Sequence, residues 1–185
     1  MPRAGFILTG GRSSRMGRDK ALLEWGERTL AEHLADIVFQ VAGSVCLVGE
    51  PERYKHLRLE TTSDIRPGTG PLGGLETALL TTAADYNLIL ACDLPNVPRQ
   101  LLIDLMSAAE GGDWDTVAVR DARGRLHPLC AVYHRRCLPL IQRALDSGEY
   151  RVLSALDRLN VNWYEAGSAL SNINTPEEWY AIERP

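Results

Sequence analysis

Lysine is nearly absent from this 185-residue chain: of its 20 basic residues only Lys20 and Lys55 are lysines, the rest being arginine. Long apolar runs are missing too. No stretch approaches the roughly 20 residues that span a membrane. Only about six apolar residues precede Gly10, too few for the apolar region of a secretory leader. Both absences lead to the expectation of a cytoplasmic protein with no membrane association. The four cysteines, at 46, 92, 130 and 137, show no CxxC spacing, and three lie in apolar, strand-like runs. Buried reduced thiols are therefore expected rather than a zinc site or a disulfide framework. A surplus of positive charge is lacking as well. The net charge of −4 argues against general affinity for nucleic acid. Nor are there internal repeats, low-complexity tracts or long linkers, so residues 1–185 are expected to form a single domain with one substantial core.

What is present is concentrated in Ala4 to Lys20, AGFILTGGRSSRMGRDK. Phe6-Ile7-Leu8 is too short an apolar run for a helix and is bounded by Gly10-Gly11, so it reads as a buried strand. Arg12, Arg15, Arg18 and Lys20 follow within nine residues. Glycines at a strand's end let a ligand approach the backbone, and a loop of N–H groups and cations suits a polyphosphate. Two familiar phosphate motifs are excluded. A P-loop needs GxxxxGK[ST], whereas Gly11 and Gly17 are separated by five residues and Lys20 is followed by Ala21. The GxGxxG dinucleotide spacing is absent too. In so arginine-biased a chain a lysine in this loop points to a compact, pivoting ammonium, although two lysines can also persist by chance.

Down the chain, Ala21 to Trp25 reads as extended with a turn at Gly26-Glu27. A capping box, Thr29-Leu30-Ala31-Glu32, then opens a helix that Gly43 ends. Strands are expected over 45–48, 57–62, 87–92, 116–119, 130–133 and 161–164, and helices over 52–56, 75–82, 99–110, 138–145 and 152–159. Gly68 to Gly74 reads as a loop, and Thr175-Pro176 with Glu178 as the capping box of a last helix. Apolar strands alternating with helices argue an α/β fold whose mostly parallel sheet carries helices on both faces. In such sheets ligands bind beyond the carboxyl ends of the strands, where Gly10-Gly11, Asp64 and Asp93 each stand.

Each of these residues has a functional and a structural reading. Asp93, directly after the strand 87–92, is the metal ligand expected for Mg²⁺, which takes one or two carboxylates plus phosphate oxygens; the alternative is a cap before Leu94-Pro95. Asp64 is a second acidic group for metal or nucleotide, or a turn residue before Pro67-Gly68. Lys20 and Arg15 would neutralise a triphosphate, or are solvated loop charges. Gly70 to Gly74 offers a helix N-terminus to an anion, or a turn. Asn172 and Asn174, two apart in an extended segment, can face one side, or serve the turn before Thr175. His127 opens a strand, facing a second substrate or filling a structural place.

LTGGRSSRMGRDKALL resembles the L-A-G-G-x-x-x-R-M-G-x-x-K signature of the nucleotidyltransferases, specifically of the molybdenum cofactor guanylyltransferase family. Gly70-Pro71-Leu72-Gly73-Gly74, Cys92-Asp93-Leu94-Pro95, His127-Pro128-Leu129 and Asn172-Ile173-Asn174-Thr175-Pro176 extend the resemblance to about residue 180. Two positions depart from the pattern: Thr9 stands where the signature has Ala, and Gly49 where a polar side chain often follows the second strand. The resemblance implies a three-layer, Rossmann-like fold of the nucleotide-diphosphosugar transferase type. It implies an enzyme that, with Mg²⁺, transfers GMP from GTP to molybdopterin-bound molybdenum and releases pyrophosphate. Leu8, Thr9, Gly10, Gly11, Lys20, Asp64 and Asp93 would hold the nucleotide, with Asp93 on the metal and Lys20, Arg15 and Asp93 catalytic. Gly73, Gly74, His127, Asn172 and Asn174 would face the acceptor. Proteins of cofactor biosynthesis, or acceptors of the cofactor, are the expected protein partners. The competing readings are a cytidylyltransferase for the same cofactor, a sugar-1-phosphate nucleotidylyltransferase, and a non-catalytic nucleotide-binding cofactor chaperone.

Overall fold

The first apolar run forms β1, Arg3–Leu8, buried at every position after Arg3. The computed structural model describes residues 1–9 and 18–182. A short turn of 3-10 helix at Lys20–Leu22 leads into a hairpin of β2, Glu24–Trp25, and β3, Arg28–Thr29, turned at Gly26. α1, Leu30–Ala42, starts on the expected capping box: the Thr29 side chain accepts from the Glu32 N–H, and the Glu32 carboxylate accepts from the Thr29 N–H. β4 is Cys46–Val48, α2 Pro51–Tyr54 and β5 Thr61–Thr62. α3, Gly70–Thr81, precedes β6, Tyr86–Ala91, and α4, Arg99–Glu110. β7, Thr116–Arg120, and β8, Leu126–His134, form a hairpin. α5, Leu138–Asp146, α6, Val152–Leu156, β9, Val161–Glu165, and α7, Pro176–Ala181, complete the described chain.

Among the described residues seven strands make one sheet in the order β5-β4-β1-β6-β8-β7-β9. Every pairing is parallel except those of β8 with β6 and with β7. Successive side chains of a strand point to opposite faces, and the two cores follow that alternation. Ile7, Leu47, Leu88, Leu90 and Val132 pack with Leu30, Leu34, Leu102 and Leu105 of α1 and α4. Phe6, Leu8, Val48, Ile89 and Tyr133 pack on the other face with Leu72, Leu75 and Leu79 of α3 and Ile141 of α5. The result is the three-layer sheet with helices on both faces that the alternating pattern implied. No helix among the described residues is long and apolar enough to cross a membrane. All four cysteines are buried and unpaired; burial first of all pushes the Cys46 thiol up to about 11 and the other three up to about 12.

Three expectations are corrected. The glycine-rich stretch from Gly70 is not a loop but the first turns of α3. A Cβ at Gly73 would fall 2.0 Å from Thr69 Oγ1, whose hydroxyl donates to the Arg66 carbonyl at 2.7 Å, so glycine there lets the turn close upon the helix. The expected strand over 57–62 shrinks to Thr61–Thr62, because Leu57 is buried in a 3-10 turn and Arg58 then takes a left-handed conformation with φ 56°. The helix expected over 152–159 ends at Leu156.

The capping box of α1 generates a stability prediction. Thr29→Ala removes the acceptor for the Glu32 N–H and should cost about 1 kcal/mol. The expected readout is a lower denaturant midpoint with an unchanged slope; an unchanged midpoint would show that tertiary packing alone holds the start of α1.

Candidate active site

Parallel pairing puts the carboxyl ends of β1, β4, β5 and β6 on one edge of the sheet. The hydrogen bonds just beyond those ends show how tightly they meet. Thr9 N–H donates to the Val48 carbonyl at 3.1 Å, Cys92 N–H to the Leu8 carbonyl at 3.2 Å, and Gly49 N–H to the Thr62 carbonyl at 2.9 Å. Thr9, Gly49, Asp64 and Asp93 therefore border one crevice, as expected for ligand sites in open α/β sheets. Thr9 is buried and its hydroxyl donates to the Val48 carbonyl at 2.9 Å. A Cβ at Gly74, on α3, would lie 3.5 Å from the Leu8 methyls and 3.6 Å from Asp64 Oδ1. Leu8, Gly74 and Asp64 thus come together, although Leu8 and Asp64 are 56 positions apart in the chain. Gly73 is buried beside them against Thr69.

The extended segment before α7 crosses this edge and ties it together. Asn172 Nδ2 donates to Asp93 Oδ2 at 3.0 Å, and Ile173 N–H donates to the Asp93 carbonyl at 2.8 Å. Two residues on, Asn174 Oδ1 accepts from Lys20 Nζ at 3.1 Å. The alternation expected for Asn172 and Asn174 places both on the site side, while Ile173 between them is fully buried. The sequence alternative of turn formation is met by other atoms. Glu178 Oε2 accepts from the Asn174 N–H at 2.6 Å and from the Thr175 N–H at 3.1 Å. Lys20, Asp93, Asn172 and Asn174 are therefore one constellation. Gly10, Gly11 and Arg15, like Arg12, lie outside the described residues.

Two carboxylates in the crevice keep an oxygen in reserve. Asp93 Oδ1 and Asp64 Oδ1 are both buried, and neither has a hydrogen-bond partner among the described residues. Leaving a buried acceptor unmatched costs about 1–3 kcal/mol, so at a sheet edge these two oxygens are candidates for a ligand. No cluster of three or more His, Cys, Asp or Glu side chains suited to a metal occurs among the described residues. The donor set nevertheless fits Mg²⁺, which binds through one or two carboxylates and takes its other oxygens from phosphate and water.

A cavity of about 310 Å³ opens beside Asp93, lined by Asn172, His127, Pro128 and Arg125 among others. Its far wall exists because β8 runs against β6. With Cys130 opposite Leu90, the start of β8 projects past the carboxyl end of β6, which brings His127 to Asp93. His127 is held from behind: its Nε2 lies 3.1 Å from Asp121 Oδ2. Asp121 is buried, which raises its carboxyl pKa, but the Arg125 N–H, the His127 ring and the N–H groups of Arg123 and Leu170 outweigh that and hold it at about 2. An ionised carboxylate only accepts, so His127 Nε2 is the donor in that pair. Neither Asp121 nor Arg125 is among the candidate residues that the sequence motifs single out. The Asp121-Ala122-Arg123-Gly124 turn, followed three residues later by His127, carries that signal only once the hairpin register is known.

Asp64 generates a pH prediction. Burial raises its carboxyl pKa above the usual carboxylate range. A carboxyl whose pKa is higher folded than unfolded favours folding at low pH, and that contribution is lost as pH rises through the folded value. Asp64→Asn should therefore unfold at a higher temperature than the wild type at pH 7, and the gap should close as pH falls below about 4, the unfolded carboxyl value. A gap that stays constant with pH would mean that the carboxylate carries no desolvation cost.

A family model described as a MobA-like NTP transferase domain matches residues 5–160. The chain is 32% identical over 180 residues to a probable molybdenum cofactor guanylyltransferase of Flavobacterium johnsoniae, an alignment covering 94% of this chain and 92% of the relative. It is 34% identical over 184 residues to a protein of the same description from Pelotomaculum thermopropionicum, covering 94% and 88%. The crystal structure of molybdopterin-guanine dinucleotide biosynthesis protein A from Archaeoglobus fulgidus superposes with a TM-score of 0.80 at 22% identity, over 96% of this chain and 95% of that one, and so shares its fold. The family match runs from β1 to the residue before β9 and takes in all four strands whose ends border the crevice: the chain belongs to the MobA-like NTP transferase domain family.

Proposed function

We propose that the protein transfers GMP from GTP to molybdopterin-bound molybdenum, forming the guanine dinucleotide and releasing pyrophosphate. The observation that carries this reading is the bridge made by residues 172–174, which joins an ammonium, Lys20, to a carboxylate with a free buried oxygen, Asp93. A cation and a metal-type carboxylate fixed across one crevice are what a polyphosphate substrate requires. The names of the relatives supply the nucleotide and the acceptor.

In this reading Leu8, Thr9 and Asp64 border the nucleotide, and the cavity at His127 receives the acceptor, with Gly73 and Gly74 closing the site from α3. An oxygen of the acceptor's terminal phosphate bonds to the α-phosphorus of GTP. The bond from that phosphorus to the bridging oxygen breaks, and its electron pair leaves with pyrophosphate. No protein nucleophile is needed, because the acceptor phosphate is already anionic. Lys20 neutralises charge on the departing pyrophosphate, a role Arg15 would share; such preorganised electrostatics is usually the largest catalytic contribution. Asp93 Oδ1, with Asp64, would hold Mg²⁺, which when bound neutralises phosphate charge. Asn172 keeps the Asp93 carboxylate turned through its other oxygen. His127, its Nε2 committed to Asp121, lines the cavity that would receive the acceptor.

Pyrophosphate release measured with each nucleotide in turn, with and without molybdopterin and Mg²⁺, tests the reading. GTP should give the highest kcat/KM; a higher value with CTP would move the assignment to cytidylyl transfer on the same fold. Asp93 caps no helix, since α4 begins at Arg99 behind Pro98. Asp93→Asn distinguishes a metal ligand from a structural partner of Asn172, because the amide oxygen can still accept from Asn172 Nδ2 while the charge is lost. The variant should lose at least about a hundredfold in turnover at limiting Mg²⁺, keep its fold, and recover only partly when Mg²⁺ is raised. Near-normal turnover of that variant would remove Asp93 from the reaction and leave Asp64 as the candidate.

A further inference from the structure

Gly49 follows β4 at the crevice, and the space its side chain would fill is occupied. A Cβ there would fall 2.2 Å from Thr9 Oγ1 and 2.9 Å from Tyr54 Cε2. Tyr54, at the end of α2, is only 2% exposed, and its ring stands beneath the carboxyl ends of β1 and β4. Its hydroxyl donates to Asp19 Oδ2 at 2.7 Å. Burial raises the phenol's pKa, and the neighbouring Asp19 charge adds to this against the Thr9 hydroxyl, so the group remains a donor. The other Asp19 oxygen accepts the Ala21 N–H at 3.0 Å and caps the 3-10 turn Lys20–Leu22. Arg53 holds the same carboxylate from the solvent side at 3.2 Å. The residue before Lys20 is thus fixed at both oxygens, by the turn that Lys20 begins and by the protein core. At its far end the Lys20 ammonium meets Asn174.

We propose that Tyr54 is a positioning residue which, through Asp19, fixes the turn from which Lys20 reaches the triphosphate, and that Gly49 is glycine because the Thr9 hydroxyl and that ring together take its space. The inference rests on the reading of Lys20 given above. A lysine side chain has four rotatable carbons and a strongly hydrated head, so the only parts the fold can hold in advance are its backbone and its tip. Tyr54 and Asp19 hold the first, Asn174 the second.

The test is a double-mutant cycle on the full chain, reading kcat and KM for GTP by pyrophosphate release with saturating molybdopterin and Mg²⁺. Tyr54→Phe keeps the buried ring and deletes one hydroxyl. It should lower kcat about fivefold, with KM near that of the wild type and a melting temperature lower by no more than a few degrees, the effect of one ordinary hydrogen bond on stability. In a Lys20→Ala background it should lower kcat no further. The same fivefold loss in both backgrounds, or no loss in the first, would overturn the proposal, since a merely structural role adds independently. Wild-type turnover of Lys20→Ala alone would instead remove the reading of Lys20 itself. Should Tyr54→Phe fail to fold, Asp19→Ala, at a half-buried position, takes its place in the cycle with the same expected and overturning outcomes.

Discussion

Strand β1 is hydrogen-bonded on both sides to parallel neighbours, and the crevice depends on that ladder. Phe6, Ile7 and Leu8 lie opposite Cys46, Leu47 and Val48 on one side and opposite Ile89, Leu90 and Ala91 on the other. Because parallel strands need a crossover between them, residues that adjoin at their carboxyl ends are far apart in the chain. A slip of one residue would turn Leu8 from the α3 side to the α1 side, exchanging the faces of every later contact. The two hydrophobic clusters make that slip costly, and so the positions of Thr9 and Asp93 are set by burial elsewhere.

The polar part of the site is assembled against that apolar frame. Ile173, fully buried, anchors the segment whose two asparagines reach Asp93 and Lys20, so a hydrophobic residue supplies the rigidity for two hydrogen bonds. The same segment is tied to the β7–β8 turn upstream, where the Leu170 N–H donates to Asp121 Oδ2 at 3.3 Å. Asp121 thereby serves both walls of the cavity, holding His127 on one side and the approach to Asn172 on the other. Against this well-matched carboxylate, Asp64 and Asp93 each have an oxygen with no partner among the described residues. In the function proposed above, that contrast separates a structural acid from the acids that would face a ligand.

The reversal of β8 gives the sheet two kinds of edge. On the parallel side, strand ends present backbone, Thr9 and the two acids, which suits a nucleotide. Across β6 the antiparallel strand presents its beginning, and with it His127, Pro128 and the arginine of the preceding turn. One crevice thus has walls of different chemistry, as a two-substrate transfer requires.

Much of this was legible in the chain itself. Helix starts at Thr29 and Thr175, the strand before Asp93 and the alternation of Asn172 and Asn174 follow from local rules, because capping boxes and periodicity act over a few residues. The alternation of elements determined the fold class, and motif spacing determined which acids and cations to examine. Other features were decided only by tertiary structure. Gly70 to Gly74 became helix through Thr69 and contact with β1, Asp121 became a partner of His127 through hairpin register, and Gly49 acquired its reason from Thr9 and Tyr54. Each depends on which distant surfaces meet, and neither propensity nor spacing records that meeting. By itself the sequence determined most of the elements and the identities of the candidate groups; the parallel ladder around β1 decided which of those groups stand within hydrogen-bonding distance.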